Sequence, residues 1–237
     1  MSFVIDIRYL YFMEKHPEKL LLTAATAVEV GPFLDELRKK SKQSEQIQLD
    51  VLITGIGLTA TTYHLTRQLQ LKKYDLVIQA GVAGSFDLNR KPGSVVVIKQ
   101  DTIADQSVEE LKKLKSLFQL NLVPQNKFPY KKGWLKNPYT ELMKLTGLKT
   151  VNGISVNQIS TSPKMVQFYR DTFNPVTESM EGAALHYVCL MEKVPFFQIR
   201  SISNYIGERN KDKWNMKESV NNLNNELIRI IKTLNTQ

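Results

Sequence analysis

LVIQAGVAGS at residues 76–85 is the stretch that decides the fold class, because an apolar run passes there directly into very small residues. A continuous apolar run is typical of a strand that is buried on both faces of a parallel or mixed sheet. Glycines after such a run let the backbone approach a ligand closely, since they carry no side chain. Ligands bind at the carboxyl ends of strands in α/β sheets. The stretch therefore predicts a central strand that leads into a ligand site.

Similar apolar runs alternate with helical patterns along the rest of the chain. Further strands are predicted at residues 20–23, 49–54, 95–98, 153–156 and 196–202, and helices at 30–40, 59–71, 181–193 and 217–234. In the second helix Tyr63, Leu65 and Leu69 are expected in the core, and residues 108–120 form a further amphipathic stretch. The pattern predicts an α/β fold with a central mixed β-sheet flanked by helices. Residues 20–237 form this single domain, and residues 1–19 are an N-terminal extension.

The composition limits the expected partners and location. The 237 residues include 32 Lys and Arg against 23 Asp and Glu, which gives a formal net charge of +9. The lysines are scattered and do not alternate with aromatic residues, so a solvated surface explains them better than a nucleic-acid site. No apolar run reaches the roughly 18–20 residues of a membrane helix, and the first residues lack a signal-peptide pattern. We expect a cytoplasmic protein that binds neither nucleic acid nor membrane.

Two carboxylates lie at positions where chemistry is expected, one after a predicted strand and one at the start of a predicted helix. Glu29 comes after the small residues of 23–27, where a partly desolvated carboxylate could serve as a general base. Glu181 begins a predicted helix beside Met180. A carboxylate accepts two hydrogen bonds from a vicinal diol, and methionine packs well on a sugar face. The alternative for each glutamate is a helix-start residue that favours the positive end of the helix dipole.

Several common kinds of site are missing from the sequence. Residues 55–57 (GIG) lack the third glycine of a dinucleotide fingerprint, and neither a phosphate loop nor a Gly-x-Ser-x-Gly elbow occurs. His64 and His186 lie in helical segments without partners at metal-ligand spacing, so structural roles are expected for both. Cys189 is the one cysteine, and it is expected to be a buried, inert thiol. We therefore expect no metal and no cofactor.

Five short motifs occur in one order along the chain: ATAVEVGPF (25–33), TGIG (54–57), AGVAGSF (80–86), SMEGAA (179–184) and IRSISN (199–204). In this order they resemble the strand-end motifs of the nucleoside phosphorylase and nucleosidase superfamily. The resemblance implies a three-layer α/β sandwich that acts on a small-molecule purine nucleoside. It also implies a homo-oligomer, by default a dimer.

The same resemblance implies roles for individual residues. The water-activating glutamate falls on Glu29, and the residue that contacts the departing purine falls on Asn204. The wall of the base pocket falls on Val82, Ala83, Gly84 and Ile159, and the ribose clamp falls on Met180 and Glu181. Ser203 is implied as the neighbour of Asn204, and the aromatic cover of the pocket falls on Trp214.

Two departures from the superfamily pattern indicate the reaction and the base. Phosphorylases hold phosphate with a Gly-Asp-Pro-type loop and arginines, whereas residues 24–29 contain neither glycine nor arginine, so water is the expected attacking group. Adenine-specific nucleosidases have aspartate where this chain has Asn204. Hypoxanthine offers two acceptors, O6 and N7, which suit the NH₂ donor of an amide, and a mismatched buried polar pair costs ~1–3 kcal/mol. Asn204 therefore favours a 6-oxopurine leaving group.

Within the superfamily the chain most resembles the futalosine hydrolase family, through segments such as ISVNQIS (154–160) and ESMEGAALHYVC (178–189). This implies hydrolysis of futalosine to hypoxanthine and dehypoxanthine futalosine, in menaquinone biosynthesis. Residues 208–213 beside Trp214 could form a lid whose Arg209 meets the carboxylate on the 5′ arm of futalosine; a solvated charged loop is the alternative. A methylthioadenosine/S-adenosylhomocysteine nucleosidase and a non-catalytic nucleoside-binding protein are the competing functions.

Overall fold

The computed structural model describes residues 17–40, 47–208 and 210–236. Its strands are β1 (Lys19–Ala24), β2 (Gln48–Ile53), β3 (Leu76–Ser85), β4 (Val95–Asp101), β5 (Ser107–Glu110), β6 (Lys113–Ser116), β7 (Tyr130–Lys131), β8 (Trp134–Lys136), β9 (Lys149–Ser155), β10 (Thr177–Ser179) and β11 (Phe196–Tyr205). Its helices are α1 (Gly31–Lys40), α2 (Leu58–Leu71), α3 (Thr140–Leu145), α4 (Pro163–Phe173), α5 (Gly182–Glu192) and α6 (Met216–Thr236), with a 3₁₀ turn at Lys211–Lys213.

The strand β3 lies inside the sheet and pairs with three other strands. It runs parallel to β1 and β11 and antiparallel to β10. The pairs β3–β11, β11–β4, β4–β9, β9–β10 and β10–β3 close a ring of five strands. β2 extends the sheet beyond β1, while β8 and β7 extend it beyond β4. The predicted mixed sheet is confirmed, and its closure into a ring is a feature that the sequence pattern does not reveal.

Helices cover the sheet and bury its apolar side chains. α6 packs against β11, β3 and α1, and α2 packs against α5. The largest apolar cluster joins β1, β3 and β11 through fully buried residues such as Leu21, Ile78 and Ile199. Within the three described ranges, no helix is both long and apolar enough to pass through a lipid bilayer. The predicted arrangement of a central sheet flanked by helices is confirmed.

Two strands extend further than the sequence pattern predicts, and both extensions carry candidate site residues. β3 continues through residues 81–85 and β11 through residues 203–205, because the two strands pair along their whole length. The pairing contains a bulge: Ile202 is the partner of Ala83 and Asn204 is the partner of Gly84, so Ser203 is the extra residue. The bulge therefore brings Asn204, and not Ser203, into register with Gly84.

The predicted core position of Tyr63 is wrong, since this side chain is 59% exposed. The buried face of α2 runs through Leu58, Thr61, Leu65 and Leu69, at the three- and four-residue spacing of one helix face. Tyr63 lies on the other side of the helix, and Thr61 takes the core position instead.

The amphipathic stretch at residues 108–120 is a β-hairpin followed by turns. β5 and β6 are antiparallel, and Glu110 is the partner of Lys113, which leaves a two-residue turn. Both turn residues, Leu111 and Lys112, have left-handed backbone conformations with φ of 50° and 64°. This is the geometry of a type I′ hairpin turn, which is most often made by Asn-Gly or a similar pair. The apolar periodicity did not predict the turn, because one of its two residues is an apolar leucine. Leu111 is nevertheless 97% exposed in the structure.

A buried polar network joins β4, β11 and α5. The Gln198 amide nitrogen faces Asp101 Oδ2 at 3.3 Å and His186 Nε2 at 3.1 Å, while its oxygen accepts from Arg200 Nε at 2.9 Å. His186 Nδ1–H donates to the Leu135 carbonyl at 2.9 Å, so both ring nitrogens are satisfied. Burial lowers the pKa of His186 to about 4, which keeps the ring neutral. The predicted structural role of this histidine is confirmed.

Asp101 should make the stability of the fold depend on pH. Burial raises the pKa of Asp101 to about 7, against 3.8 in the unfolded reference. The stability gained from the protonated carboxyl is thus complete below about pH 3.8 and is lost as the pH rises through about 7. Over that window each unit of pKa difference corresponds to about 1.4 kcal/mol. Urea unfolding between pH 4 and 8 should show the wild type losing free energy of unfolding relative to Asp101→Asn until about pH 7, with no further relative loss above it. Parallel profiles of the two proteins below about pH 7 would contradict this prediction.

Candidate active site

A cavity of about 260 Å³ lies at the end of the sheet where β3 and β11 finish. Ten of the eleven predicted site residues line it: Glu29, Val82, Ala83, Gly84, Ile159, Met180, Glu181, Ser203, Asn204 and Trp214. The eleventh, Arg209, lies outside the described residues. The lining of the cavity comes from seven separate stretches of chain that the fold brings together, and its further members are Ala25, Thr26, Val28, Ile56, Glu178, Ser179, Ile206, Met216 and Val220.

The carboxylate of Glu29 is held by three hydrogen bonds at one wall of the cavity. Its Oε2 accepts from the Thr26 backbone N–H at 3.0 Å and from the Thr26 hydroxyl at 3.2 Å. Its Oε1 accepts from the Val82 backbone N–H at 3.0 Å. The Glu29 residue is only 8% exposed. These donors fix the orientation of the carboxylate.

The main chain around Glu29 is held from the far side by α6. Asn224 donates to the Glu29 carbonyl at 2.8 Å and accepts from the Phe33 N–H at 2.9 Å.

Gly81 is required on the cavity side, because a Cβ there would collide with the guanidinium of Arg200 and lie 2.9 Å from Glu29 Oε1. The small residue in the AGVAG stretch therefore makes room for two charged side chains.

Glu181 is the second buried carboxylate of the cavity, with 5% exposure. Its Oε1 accepts from the Gly57 N–H at 3.1 Å, which brings the TGIG loop to the site. Its Oε2 lies 3.3 Å from Arg200 in an ion pair.

The glycine that follows, Gly182, is also constrained, since a Cβ there would collide with the buried Asp101 and Gln198. The Gly in SMEGAA thus lets α5 begin directly against the polar network.

Arg200 is fully buried beneath the cavity and connects its parts. One guanidinium nitrogen donates to Glu181 and to the Val82 carbonyl, each at 3.3 Å, and the other donates to Gln79 at 2.8 Å. Its Nε reaches Gln198, so every nitrogen has a partner. No role was predicted for Arg200, although it lies in the IRSISN motif. The sequence did contain a signal for this role, namely a charged residue inside the apolar strand FFQIRSI. Such a residue is buried only when it is paired, so a carboxylate partner could have been expected.

Asn204 has a fixed amide orientation at the opposite wall. Its Nδ2 donates to the Tyr205 carbonyl at 3.0 Å, and its Oδ1 accepts from the Ser203 hydroxyl at 2.8 Å. A reversed amide would set two carbonyl oxygens against each other, so the nitrogen must face Tyr205. The second N–H of Nδ2 is then available on the side of Gly84, where an added Cβ would lie 3.5 Å from this nitrogen.

A third buried carboxylate, Glu178, also lines the cavity, and sequence reasoning missed it. It is 5% exposed, and both of its oxygens accept from Ser160, Oε1 from the backbone N–H at 3.0 Å and Oε2 from the hydroxyl at 2.5 Å. Burial raises the pKa of Glu178, and the two Ser160 donors oppose that shift. β10 has only three residues, so no periodicity distinguished Glu178 from a surface residue.

The mouth of the cavity is apolar. Val28, Ile56 and Ile159 line it with exposed fractions of 75%, 62% and 40%. Trp214 covers one side, and its indole N–H donates to the Glu208 carbonyl at 3.2 Å, which ties the ring to the segment before it. The mouth therefore suits a substrate arm with an apolar surface.

Comparison with known proteins identifies the family. The sequence profile of the Phosphorylase superfamily matches residues 48–234. A futalosine hydrolase from Thermus thermophilus is 26% identical over 183 residues, which cover 76% of this chain and 80% of the relative. A 5′-methylthioadenosine/S-adenosylhomocysteine nucleosidase from Haemophilus influenzae is 31% identical over 157 residues, 65% of this chain and 67% of the relative.

Solved structures share the fold over nearly the whole chain. The native futalosine hydrolase of Helicobacter pylori superposes with a TM-score of 0.75 at 19% identity, covering 91% of this chain and 97% of that one. The 5′-methylthioadenosine/S-adenosylhomocysteine nucleosidase of the same organism gives a TM-score of 0.75 at 19% identity, with 91% and 98% covered. The chain belongs to the Phosphorylase superfamily, and within it to the enzymes that hydrolyse N-glycosidic bonds.

Proposed function

We propose that this enzyme hydrolyses futalosine to hypoxanthine and dehypoxanthine futalosine, as a cytoplasmic step of menaquinone biosynthesis. The observation that carries the proposal is one cavity lined by the carboxylates of Glu29 and Glu181 together with the amide of Asn204. A nucleosidase needs a base for water, a clamp for the ribose and a donor for the departing purine. These three side chains match the three requirements.

Glu181 and Met180 hold the ribose in this proposal. Glu181 already accepts one hydrogen bond on each oxygen, from Gly57 and Arg200, and each oxygen keeps a further lone pair. The two free lone pairs accept from the 2′- and 3′-hydroxyls, while Met180 packs on the sugar face. Because both oxygens are anchored from behind, the clamp does not have to be ordered when the substrate binds.

Glu29 activates the attacking water. As the glycosidic bond breaks, positive charge develops on the ribose, and a carboxylate facing the anomeric carbon both stabilises that charge and removes a proton from water. The three donors on Glu29 prevent it from turning away. Its negative charge also repels phosphate, and among the described lining residues there is no lysine or arginine to counter that repulsion. These features favour hydrolysis over phosphorolysis.

Asn204 stabilises the leaving base. The free N–H of its amide can donate to the O6 and N7 edge of hypoxanthine, where negative charge collects as the base departs. Futalosine carries hypoxanthine, and the curated relative from Thermus thermophilus is a futalosine hydrolase. The apolar mouth accommodates the 5′ arm.

A methylthioadenosine/S-adenosylhomocysteine nucleosidase is the second candidate, because relatives of that name match and the apolar mouth also suits a thioether arm. Asn204 disfavours it, since adenine offers an amino donor where hypoxanthine offers O6.

We also propose a homodimer. The resemblance to this superfamily supports it, and light scattering should report twice the monomer mass of 27.2 kDa. A monomer at micromolar concentration would contradict this.

A substrate panel tests the proposed reaction. The purified enzyme should release purine from futalosine faster than from amino-deoxyfutalosine, methylthioadenosine or inosine. The rate should not change when phosphate is added, and the sugar product should be free rather than phosphorylated. Chromatography of the products measures both points. Preferential release of adenine from methylthioadenosine would replace the proposal with the second candidate.

Glu29→Gln tests the water-activating base. The amide keeps the size of the side chain but cannot take a proton, so kcat should fall by roughly 10²–10⁴ while substrate binding changes little. Glu192→Gln is the matched control, because Glu192 bonds Gln70 on the surface away from the cavity, and it should retain full activity. Isothermal titration with the product purine and steady-state kinetics measure the two effects. Near wild-type kcat in Glu29→Gln would rule out this assignment.

A further inference from the structure

Asp101 is a buried carboxylate that the proposed mechanism does not use. It is the last residue of β4, it is fully buried, and it is not among the residues that line the cavity. Two glycines make room for it: a Cβ on Gly182 would collide with Asp101 Oδ2, and a Cβ on Gly153 would lie 3.2 Å from the same oxygen. The two oxygens of Asp101 bond to different parts of the structure, and both connections lead to Glu181.

The first connection runs from Asp101 Oδ1 to the backbone around Glu181. Oδ1 accepts from the Ser155 hydroxyl at 3.0 Å, and the Ser155 oxygen in turn accepts from the Ala183 N–H at 2.8 Å. The Ser179 hydroxyl lies 3.4 Å from the same Ser155 oxygen. Ser179 precedes Glu181 in the chain and Ala183 follows it. This connection therefore holds the backbone on both sides of Glu181.

The second connection runs from Asp101 Oδ2 to the carboxylate of Glu181. The amide nitrogen of Gln198 donates to Oδ2 at 3.3 Å, and the amide oxygen accepts from Arg200 Nε at 2.9 Å. A terminal nitrogen of Arg200 donates to Glu181 Oε2 at 3.3 Å. The Gln198 nitrogen also donates to His186 Nε2 at 3.1 Å, which fixes the direction of the amide. This connection therefore holds the side chain of Glu181.

The residue at position 101 must accept hydrogen bonds on both of its terminal atoms. The Thr102 N–H donates to Oδ1 at 2.8 Å, and the Gln198 N–H faces Oδ2. A carboxylate accepts on both oxygens, whereas an amide sets its own NH₂ group against one of the two donors. Turning the Gln198 amide would not remove the conflict, since its nitrogen would then face the Nε–H of Arg200. An asparagine at position 101 therefore keeps the size of the side chain but breaks the hydrogen-bond pattern.

We propose that Asp101 is a positioning residue that sets the geometry of the ribose clamp. One of its oxygens fixes the backbone beside Glu181, and the other fixes the Glu181 carboxylate. The proposal rests on the ribose-binding role proposed above for Glu181 and names the residue that holds it in place. A clamp contacts the ribose hydroxyls in the ground state and in the transition state alike, so its loss raises KM more than it lowers kcat.

Steady-state kinetics of Asp101→Asn with inosine test this role. Burial raises the pKa of Asp101 to about 7, so the assay is run at pH 8, where the wild-type carboxyl is ionised. KM should rise about tenfold, because the clamp loses part of its hydrogen-bonded support. kcat should stay within about threefold, since Glu29 keeps its own donors on Thr26 and Val82. An unchanged KM, or a loss confined to kcat, would overturn the proposal.

Asp75→Asn is the matched control. The Asp75 carboxylate also accepts from two backbone N–H groups, but it lies at the amino ends of β1 and β3, at the opposite end of the sheet from the cavity. Its change to asparagine should leave KM and kcat at their wild-type values. A rise in KM as large as that of Asp101→Asn would mean that any aspartate of the sheet has this effect, and would overturn the proposal.

Binding measurements separate a clamp defect from general damage. Inosine and 2′,3′-dideoxyinosine differ only in the hydroxyls that the clamp holds, and calorimetry in a Glu29→Gln background avoids turnover during the titration. Adding Asp101→Asn should reduce the preference for inosine over the dideoxynucleoside about tenfold. An equal loss of affinity for both nucleosides would show damage to the whole cavity and would overturn the proposal.

The same measurements distinguish this proposal from the proposed function. If the preference for inosine depends on Asp101 but the wild type cleaves no nucleoside, the hydrolase proposal fails and this one stands. If nucleosides are cleaved and Asp101→Asn keeps the wild-type preference, the reverse holds. Thermal unfolding identifies a variant that fails to fold. In that case Ser155→Ala, which breaks the first connection and keeps the carboxylate, is measured instead and should reduce the preference at least about threefold.

Discussion

The buried ion pair between Arg200 and Glu181 is the interaction on which the rest of the site depends. Arg200 is 1% exposed and Glu181 5% exposed, and their nitrogen and oxygen lie 3.3 Å apart. Taking either charge out of water alone costs several kcal/mol, so the two must be buried together. The pair ties the middle of β11 to Glu181, the residue immediately before α5. The buried guanidinium of Arg200 therefore fixes the position of Glu181, the proposed ribose clamp.

Around that ion pair, three glycines leave room for neighbouring side chains to pack against the backbone. Gly81 and Gly182 each face charged or polar groups that a single Cβ would displace, and Gly84 lets the side chain of Ile206 pack directly on the backbone of β3. A fully satisfied polar network is stiff, because each member restricts its neighbours. Arg200, Gln198 and Asp101 form such a network directly beneath the cavity. Carboxylates held in this way are oriented before any substrate arrives, which reduces the reorganisation that catalysis requires.

Much of the fold could be predicted from the sequence, and the reasons differ for what could not. Long apolar runs such as that of β3 were recognisable because both faces of the strand are buried. The ends of β3 and β11 were underestimated, since small and polar residues in a strand look like a loop when the pairing partner is unknown. Tyr63 was misassigned because the larger, more apolar side chain was preferred, although it is Thr61 that lies four residues before Leu65 on the same helix face.

The candidate site divides in the same way. Glu29, Glu181 and Asn204 were predictable because they belong to recognisable motifs, and the fold brings them to one cavity. Glu178 could not be predicted, since its place in the cavity depends on the pairing of the short strand β10 with β3. Gly57 could not be predicted either, because it contributes through its backbone N–H and any residue type other than proline carries that group.

The closed ring of strands has a consequence for how a ligand reaches the interior. Its walls are joined by hydrogen-bonded ladders from β3 through β11, β4, β9 and β10 back to β3. Parting two of these strands would break a whole ladder of backbone hydrogen bonds at once, which is far more costly than shifting a surface segment. A ligand therefore enters and leaves through the apolar mouth of the cavity near Val28 and Trp214. The residues of that mouth control how fast substrate binds and products leave.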